Sequence, residues 1–264
     1  MWAVSLGLII GLSLGLTGAG GGILAVPALM FGLGLTLPQA APIALIAVGA
    51  AALVGVLQAL RDGKVRYKAA AVMAVAGGIT SPLGLWATHF ADPYWLNICF
   101  AVVLFLVALR MWHQTRKQQS LPMNDTSPLP AKVCVLSPTS GKFIWTLATA
   151  ITLAGIGAVA GFFTGLLGIG GGFIIVPALA YFSNAKMDNI VPTSLMVIAL
   201  VSATTVVSAF SHGLAITAPQ WLFISCTMLG MVGGRLIAPR IPAPLWQRLF
   251  AVVCTIVAVV LLAR

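Results

Sequence analysis

The chain has 264 residues, of which 60% are hydrophobic and only 7% charged. A soluble domain carries about 25% charged residues, so this chain lacks the polar side chains to cover a water-facing surface, and a bilayer is the solvent that fits. Fourteen Lys and Arg stand against four Asp and no Glu, a net charge of +10, but the basic residues sit at the ends of apolar runs, which excludes a nucleic-acid binder and reads as topology determinants and lipid-headgroup contacts.

Met1 leads directly into an apolar segment with no basic stretch before it, so no cleavable signal is expected. The first run, residues 2–33, is too long for one crossing. A helix of that length would reach about 48 Å, against a hydrocarbon core of about 30 Å. Glycines interrupt it, so it is expected as a broken helix, a re-entrant hairpin or two short crossings. Runs of spanning length follow at about 40–60, 68–88 and 94–112. Residues 113–142 are polar, with Pro122, Pro128, Pro130 and Pro138 among Arg116, Lys117, Lys132 and Lys142. They read as a flexible, basic and therefore cytoplasmic linker. A second glycine-broken run, 143–182, comes next, followed by spanning runs at about 190–211, 217–237 and 245–263.

A shift of 150 residues superposes the two halves without a gap. Gly7, Gly11, Gly15, Gly18, Gly20, Gly21 and Gly22 fall on Gly157, Gly161, Gly165, Gly168, Gly170, Gly171 and Gly172. Val26-Pro27-Ala28-Leu29 falls on Val176-Pro177-Ala178-Leu179. The chain is an internal duplication: repeat one over 1–112, the linker, and repeat two over 143–264. Charge bears on orientation. The loop with Arg61, Lys64, Arg66 and Lys68, opposed by Asp62, has a counterpart around 211–217 with no Lys or Arg. The next loop reverses the bias, with His89 and Asp92 in repeat one and Arg235, Arg240 and Arg248 in repeat two. Positive loops stay in the cytoplasm, so the repeats are expected to face opposite ways. The expected fold is an all-α polytopic membrane protein of two inverted-topology repeats, each a glycine-broken helical hairpin plus three transmembrane helices. The alternative is a parallel eight-helix duplication.

Two roles suggest themselves for the glycines. Gly7, Gly11, Gly15 and Gly18, and their counterparts in repeat two, recur at helical spacing, a stripe that lets helices approach closely. The clusters Gly18, Gly20, Gly21, Gly22 and Gly168, Gly170, Gly171, Gly172 free the backbone from helical geometry. A half-helix starting after each would present open N–H groups and a partial positive charge, features that bind anions. Broken helices paired across repeats form the midplane site of many secondary transporters. Thr17 abuts the first cluster, and Thr193 and Ser194 follow Pro192 at a helix start; with the glycines they are the candidate substrate-binding residues. Ser202, Thr204, Thr205 and Ser208 are expected to bond back to their own helix. Arg235 and His212 are candidates for a gate or mouth, beside plainer roles as a snorkelling anchor and a cap.

Asp62, Asp92, Asp125 and Asp188 all fall in expected loops, which argues against a buried carboxylate relay or cation site. Cys99, Cys134, Cys226 and Cys254 form no CxxC pair and read as small buried hydrophobes. The three histidines lie far apart, and neither a GxSxG nor a GxxxxGK[ST] pattern occurs. No metal, cofactor, catalytic residue or enzymatic activity is expected. The oligomeric state stays open.

The pattern GxGGGxxxVPxL, at Gly18–Leu29 and again at Gly168–Leu179, resembles the sulfite exporter TauE/SafE family of membrane permeases. Pro192-Thr193-Ser194-Leu195 is similar to that family's G-T-S-L helix start, with proline in place of glycine; repeat one has Pro42-Ile43-Ala44-Leu45, so hydroxyls there are confined to repeat two. The resemblance implies an inner-membrane permease for sulfite, sulfoacetate or another sulfur-containing anion. Export of a small anion by alternating access is the expected function. Ion-coupled uptake of a sulfur-containing or carboxylate anion, and a scaffold without a substrate, are the alternatives.

Overall fold

The computed structural model describes residues 2–18, 20–61, 63, 65–88, 90, 92–120, 134, 145–185, 187–211, 216–238 and 243–262. Among them are ten α-helices and no strand. The first glycine-broken run becomes α1 (Trp2–Thr17), a 3-10 turn (Gly21–Leu24) and α2 (Ala25–Leu33). Then come α3 (Leu37–Arg61), α4 (Tyr67–Thr88) and α5 (Pro93–Ser120). The second half holds α6 (Leu147–Leu167), α7 (Gly172–Phe182), α8 (Met187–Ser211), α9 (Ala218–Ile237) and α10 (Ala243–Leu262). Helices α3, α4, α5, α6, α8 and α9 each hold a segment long and apolar enough to cross a membrane. The chain is a polytopic all-α membrane protein.

Local chemistry sets the ends of these helices. Thr146 Oγ1 accepts from the Thr149 N–H at 3.2 Å and starts α6. Gly168 stops it in the left-handed region at φ 71°, its N–H donating to the Thr164 carbonyl at 2.9 Å. Gln220 accepts from the Thr217 N–H at 2.8 Å and starts α9. Two ends differ from expectation. Helix α5 continues through Ser120, into the stretch read as linker, because His113 to Ser120 contains neither Gly nor Pro. Asp188 sits in the first turn of α8 rather than in a loop, where the helix dipole favours a carboxylate.

The long glycine-broken runs fold back on themselves. A Cβ built on Gly21 would strike the Leu14 backbone, and one on Gly32 the Leu6 side chain. The 3-10 turn and α2 therefore retrace α1. In the second hairpin a Cβ on Gly171 would lie 2.7 Å from Thr164 Oγ1 and 2.8 Å from the Ala160 carbonyl oxygen of α6.

The glycine stripes join the halves. Helix α1 lies on α9 and α6 lies on α4. Each pairing becomes the other when a helix is exchanged for the one 150 residues away, so the packing has a pseudo-two-fold axis. Built Cβ atoms on Gly7 and Gly15 would each come within 2.7 Å of the Phe223 and Met231 carbonyl oxygens. Those on Gly157, Gly161 and Gly165 would meet the backbone of Met73, Gly77 and Ser81 in turn. Both pairs are parallel and in van der Waals contact along their length, as the small-residue spacing requires. Helices α3 and α8 pack on each other around the axis, with Gly49 against Ser202 and Gly55 against Leu195. That register makes the two equivalent helices antiparallel.

From the linker stretch, Cys134 is described: its N–H donates to the Phe182 carbonyl at the end of α7 at 3.0 Å, and the residue is fully buried. Cys254 is also buried, whereas Cys99 is exposed on the outer face of α5, unlike the buried role expected for it. Burial pushes the Cys134 thiol above its ordinary pKa. Its thiolate is therefore scarce until the pH exceeds the usual cysteine range. Maleimide labelling of a variant retaining only Cys134 is expected to be slower at neutral pH than that of the detergent-denatured chain.

Candidate functional site

Two glycine turns meet where α3 crosses α8. A Cβ built on Gly22 would lie 2.8 Å from Val48 Cγ1 and 3.5 Å from the Ile169 carbonyl oxygen, so the first turn touches the second. Gly170 faces Val48 of α3 and Ile198 of α8 at 3.3 and 3.2 Å by the same measure. Gly18 sits against Val191 of α8, and Gly168 against Ala41 of α3. These two contacts are again equivalent under the 150-residue shift, each turn reaching across to the opposite repeat.

Among the described residues positive φ is confined to glycine. Gly18 (74°), Gly168 (71°), Gly170 (79°) and Gly171 (65°) hold the left-handed conformations that reverse the chain. Helix α7 begins at Gly172 with Gly171 as its cap and no side-chain hydrogen bond to its N–H groups. The first intrahelical donors are Ile174 and Ile175, both to the Gly171 carbonyl. The Gly172 and Phe173 N–H groups precede them, as the open donors of a helix start do. The 3-10 turn of repeat one likewise has no side-chain cap. The consecutive glycines thus place two uncapped helix starts at one buried spot, each bearing the positive end of a backbone dipole.

The spot is not symmetric. Gly168, Gly170, Gly171 and Gly172 are all buried, while Gly20 and Thr17 are half-buried. A Cβ on Gly20 would meet nothing nearer than Thr17 Oγ1 at 3.8 Å. The first turn is open on one side; the second is packed by Val48 and Ile198. In this conformation those two side chains fill the seam between the turns.

The predicted hydroxyls bond to their own helices. Thr17 donates to the Ser13 carbonyl at 2.7 Å and Ser194 to the Val191 carbonyl at 2.8 Å. Thr193 donates to the Asn189 carbonyl at 2.6 Å and accepts from the Arg66 N–H at 3.1 Å, tying the α3–α4 loop to the start of α8. Thr204 and Thr205 both donate to the Val201 carbonyl. Ser202 departs from this pattern. It is 1% exposed, and its Oγ has no hydrogen-bond partner. One helical turn from Ile198, against Gly49, it is a buried open hydroxyl beside the glycine turns. Sequence reasoning placed Ser202 with the back-bonding hydroxyls. The signal available was Gly49, whose missing side chain makes room for it.

Arg235 is half-buried near the end of α9 and donates to the Gly55 carbonyl and, at 3.3 Å, to Gln58 Oε1 of α3. It clasps α9 to α3 at the level of Gly15, whose built Cβ would lie 2.9 Å from the Arg235 nitrogen. Arg235→Gln shortens the donor and removes the charge. It is expected to lower stability by about 1–2 kcal/mol, read as a fall in the detergent melting temperature. His212 lies outside the described residues. Among the described residues no cluster of three or more His, Cys, Asp or Glu can hold a metal ion.

A polytopic helical protein with paired glycine turns that break its helices at the contact of two repeats has the architecture of a membrane transporter. The family model of the sulfite exporter TauE/SafE matches residues 3–261, and the chain belongs to that family. It is 29% identical over 97% of its length to a probable membrane transporter protein of Xylella fastidiosa strain 9a5c, covering 92% of that protein. It is 28% identical over 88% of its length to the probable membrane transporter protein YunE of Bacillus subtilis, covering 85% of it. No solved structure matches. This chain is a multi-pass membrane transporter and not an enzyme.

Proposed function

We propose that the protein is a secondary transporter or facilitator that exports a small anion, sulfite or an organosulfonate such as sulfoacetate, across the inner membrane. The observation that carries this reading is the meeting of two uncapped glycine turns, one from each repeat, at the α3–α8 crossing. Backbone N–H groups there offer donors to an oxyanion. Among the described residues found against the turns none is a carboxylate, which would repel one. The Ser202 hydroxyl supplies a further donor. Outward movement is driven by the inside-negative potential, worth about 2.3 kcal/mol per charge per 100 mV.

The mechanism is alternating access. Val48 and Ile198 close the seam, so passage requires α3 and α8 to part and carry the turns with them. Antiparallel α3 and α8 fit repeats of inverted topology, with the basic Arg61–Lys68 loop in the cytoplasm. A reporter fused after Gly213 then reads external; a cytoplasmic signal there rejects this topology.

Proteoliposome flux tests the function. Sulfite or sulfoacetate is expected to cross with the purified protein, and Ser202→Ala to slow transport severalfold while leaving the melting temperature unchanged or raised, since the lost hydroxyl has no partner. Absence of flux for every sulfur oxyanion and carboxylate would reject this substrate class.

A further inference from the structure

Residues at the start of α4 line a half-open cavity that the transport reading does not use. Its volume is about 160 Å³, and its walls include Gly63, Arg66, Tyr67, Lys68, Ala69 and Trp145. Among the described lining residues none is a carboxylate. Arg66 is half-buried, and its Nε atom is buried without a hydrogen-bond partner. A guanidinium N–H in that state is costly unless something accepts from it. Lys68 brings a second cation, on an exposed stem. The same residues open the 22-residue helix α4, whose first intrahelical bond runs from the Ala70 N–H to the Arg66 carbonyl at 3.0 Å. The N–H groups of Tyr67, Lys68 and Ala69 precede that bond, adding the positive end of the helix dipole.

The duplication does not account for these cations. Positions 150 residues on from Arg66, Tyr67 and Lys68 are Ile216, Thr217 and Ala218. Repeat two therefore lacks the charge at these positions. We propose that this pocket is a peripheral anion site for a tetrahedral oxyanion, a phosphate or sulfate group. The group is carried either by a free ion or by the phosphodiester of an anionic lipid. The cavity admits such a group. Two cations and a helix start suit a doubly hydrogen-bonded oxyanion. Tyr67 and Trp145 at the rim are the amphipathic residues that sit at headgroup level. Through the bond from the Arg66 N–H to Thr193, an occupied pocket braces the α4 start against α8.

Thermal unfolding of the full-length protein in neutral detergent tests this. The probes are sodium sulfate, sodium phosphate and short-chain phosphatidylglycerol. Sodium chloride at matched ionic strength and short-chain phosphatidylcholine are the references. At least one probe is expected to raise the melting midpoint above its reference, and R66Q/K68Q to weaken that apparent affinity about tenfold or more. R61Q, which removes a neighbouring charge that does not line the cavity, is expected to leave it unchanged. Stabilisation by the salts alone identifies a free ion, and by phosphatidylglycerol alone a lipid headgroup; both together, in competition, identify one site open to either. K68M, at an exposed position, provides a folded variant should the double substitution fail to fold, with a severalfold loss expected. No probe stabilising the wild type, an unchanged response in the Lys68 variant, or an equal loss in R61Q overturns the proposal. Flux through the glycine turns is a separate measurement and does not bear on it.

Discussion

Gly161→Leu is expected to prevent accumulation of folded protein. The new side chain would enter the α4–α6 seam, where a Cβ alone already strikes the Gly77 backbone. Backbone cannot swing aside as a side-chain tip does, so two helices in parallel contact would have to separate. Overpacking costs typically about 1–3 kcal/mol and more where nothing yields. Here the stripe from Gly157 to Gly165 loses its contacts together, and a cost of about 3 kcal/mol or more follows. The same helix supplies the control. A Cβ on Gly155 meets nothing within 4 Å, so Gly155→Ala is expected to stabilise α6 by about 1 kcal/mol through helix propensity. Size-exclusion profiles and melting temperatures of the two variants, expressed side by side, measure the difference. Equal behaviour would mean that the seam is not close-packed.

Gly170→Ala is expected to abolish transport while leaving a foldable protein. Gly170 has φ 79°, and its built Cβ would approach Ile198 and Val48 to 3.2 and 3.3 Å. The methyl group would sit at the seam between the turns and keep an anion from the neighbouring N–H groups. Left-handed strain alone costs about 1–2 kcal/mol, which must be separated from loss of the site. Gly34 makes that separation. It has φ 66° at the end of α2 with nothing within 4 Å of a built Cβ. Gly34→Ala carries the same backbone strain away from the turns and is expected to retain flux. Proteoliposome rates for the two alanine variants, normalised to protein inserted, give the comparison; loss of flux in both would assign the defect to strain.

Much of this architecture can be read from the sequence because lipid makes the rules strict. Every span must satisfy its own backbone, so helix positions follow from apolar length and from glycine and proline punctuation. Helices α3 and α8 begin and end 150 residues apart, the same offset that aligns the glycines. The close-packing stripes were equally legible, since Gly7, Gly11 and Gly15 leave one helix face without side chains. The end of α5 was less so. Charge marked a linker from residue 113, but polar residues without Gly or Pro continue a helix as readily as they leave it.

Which helices touch was decided by tertiary structure alone. Small-residue spacing shows that a face is flat and does not name the partner; the pairing of α1 with α9 and of α6 with α4, instead of with their own repeats, depends on shape in three dimensions. The hydroxyls divide in the same way. Thr17, Thr193 and Ser194 were chosen by their nearness in sequence to glycine or proline, yet each is satisfied by a carbonyl of its own helix. Ser202 is left open because Gly49 of another helix lies opposite it. A hydroxyl's freedom depends on what faces it across a helix contact, and sequence spacing does not contain that information.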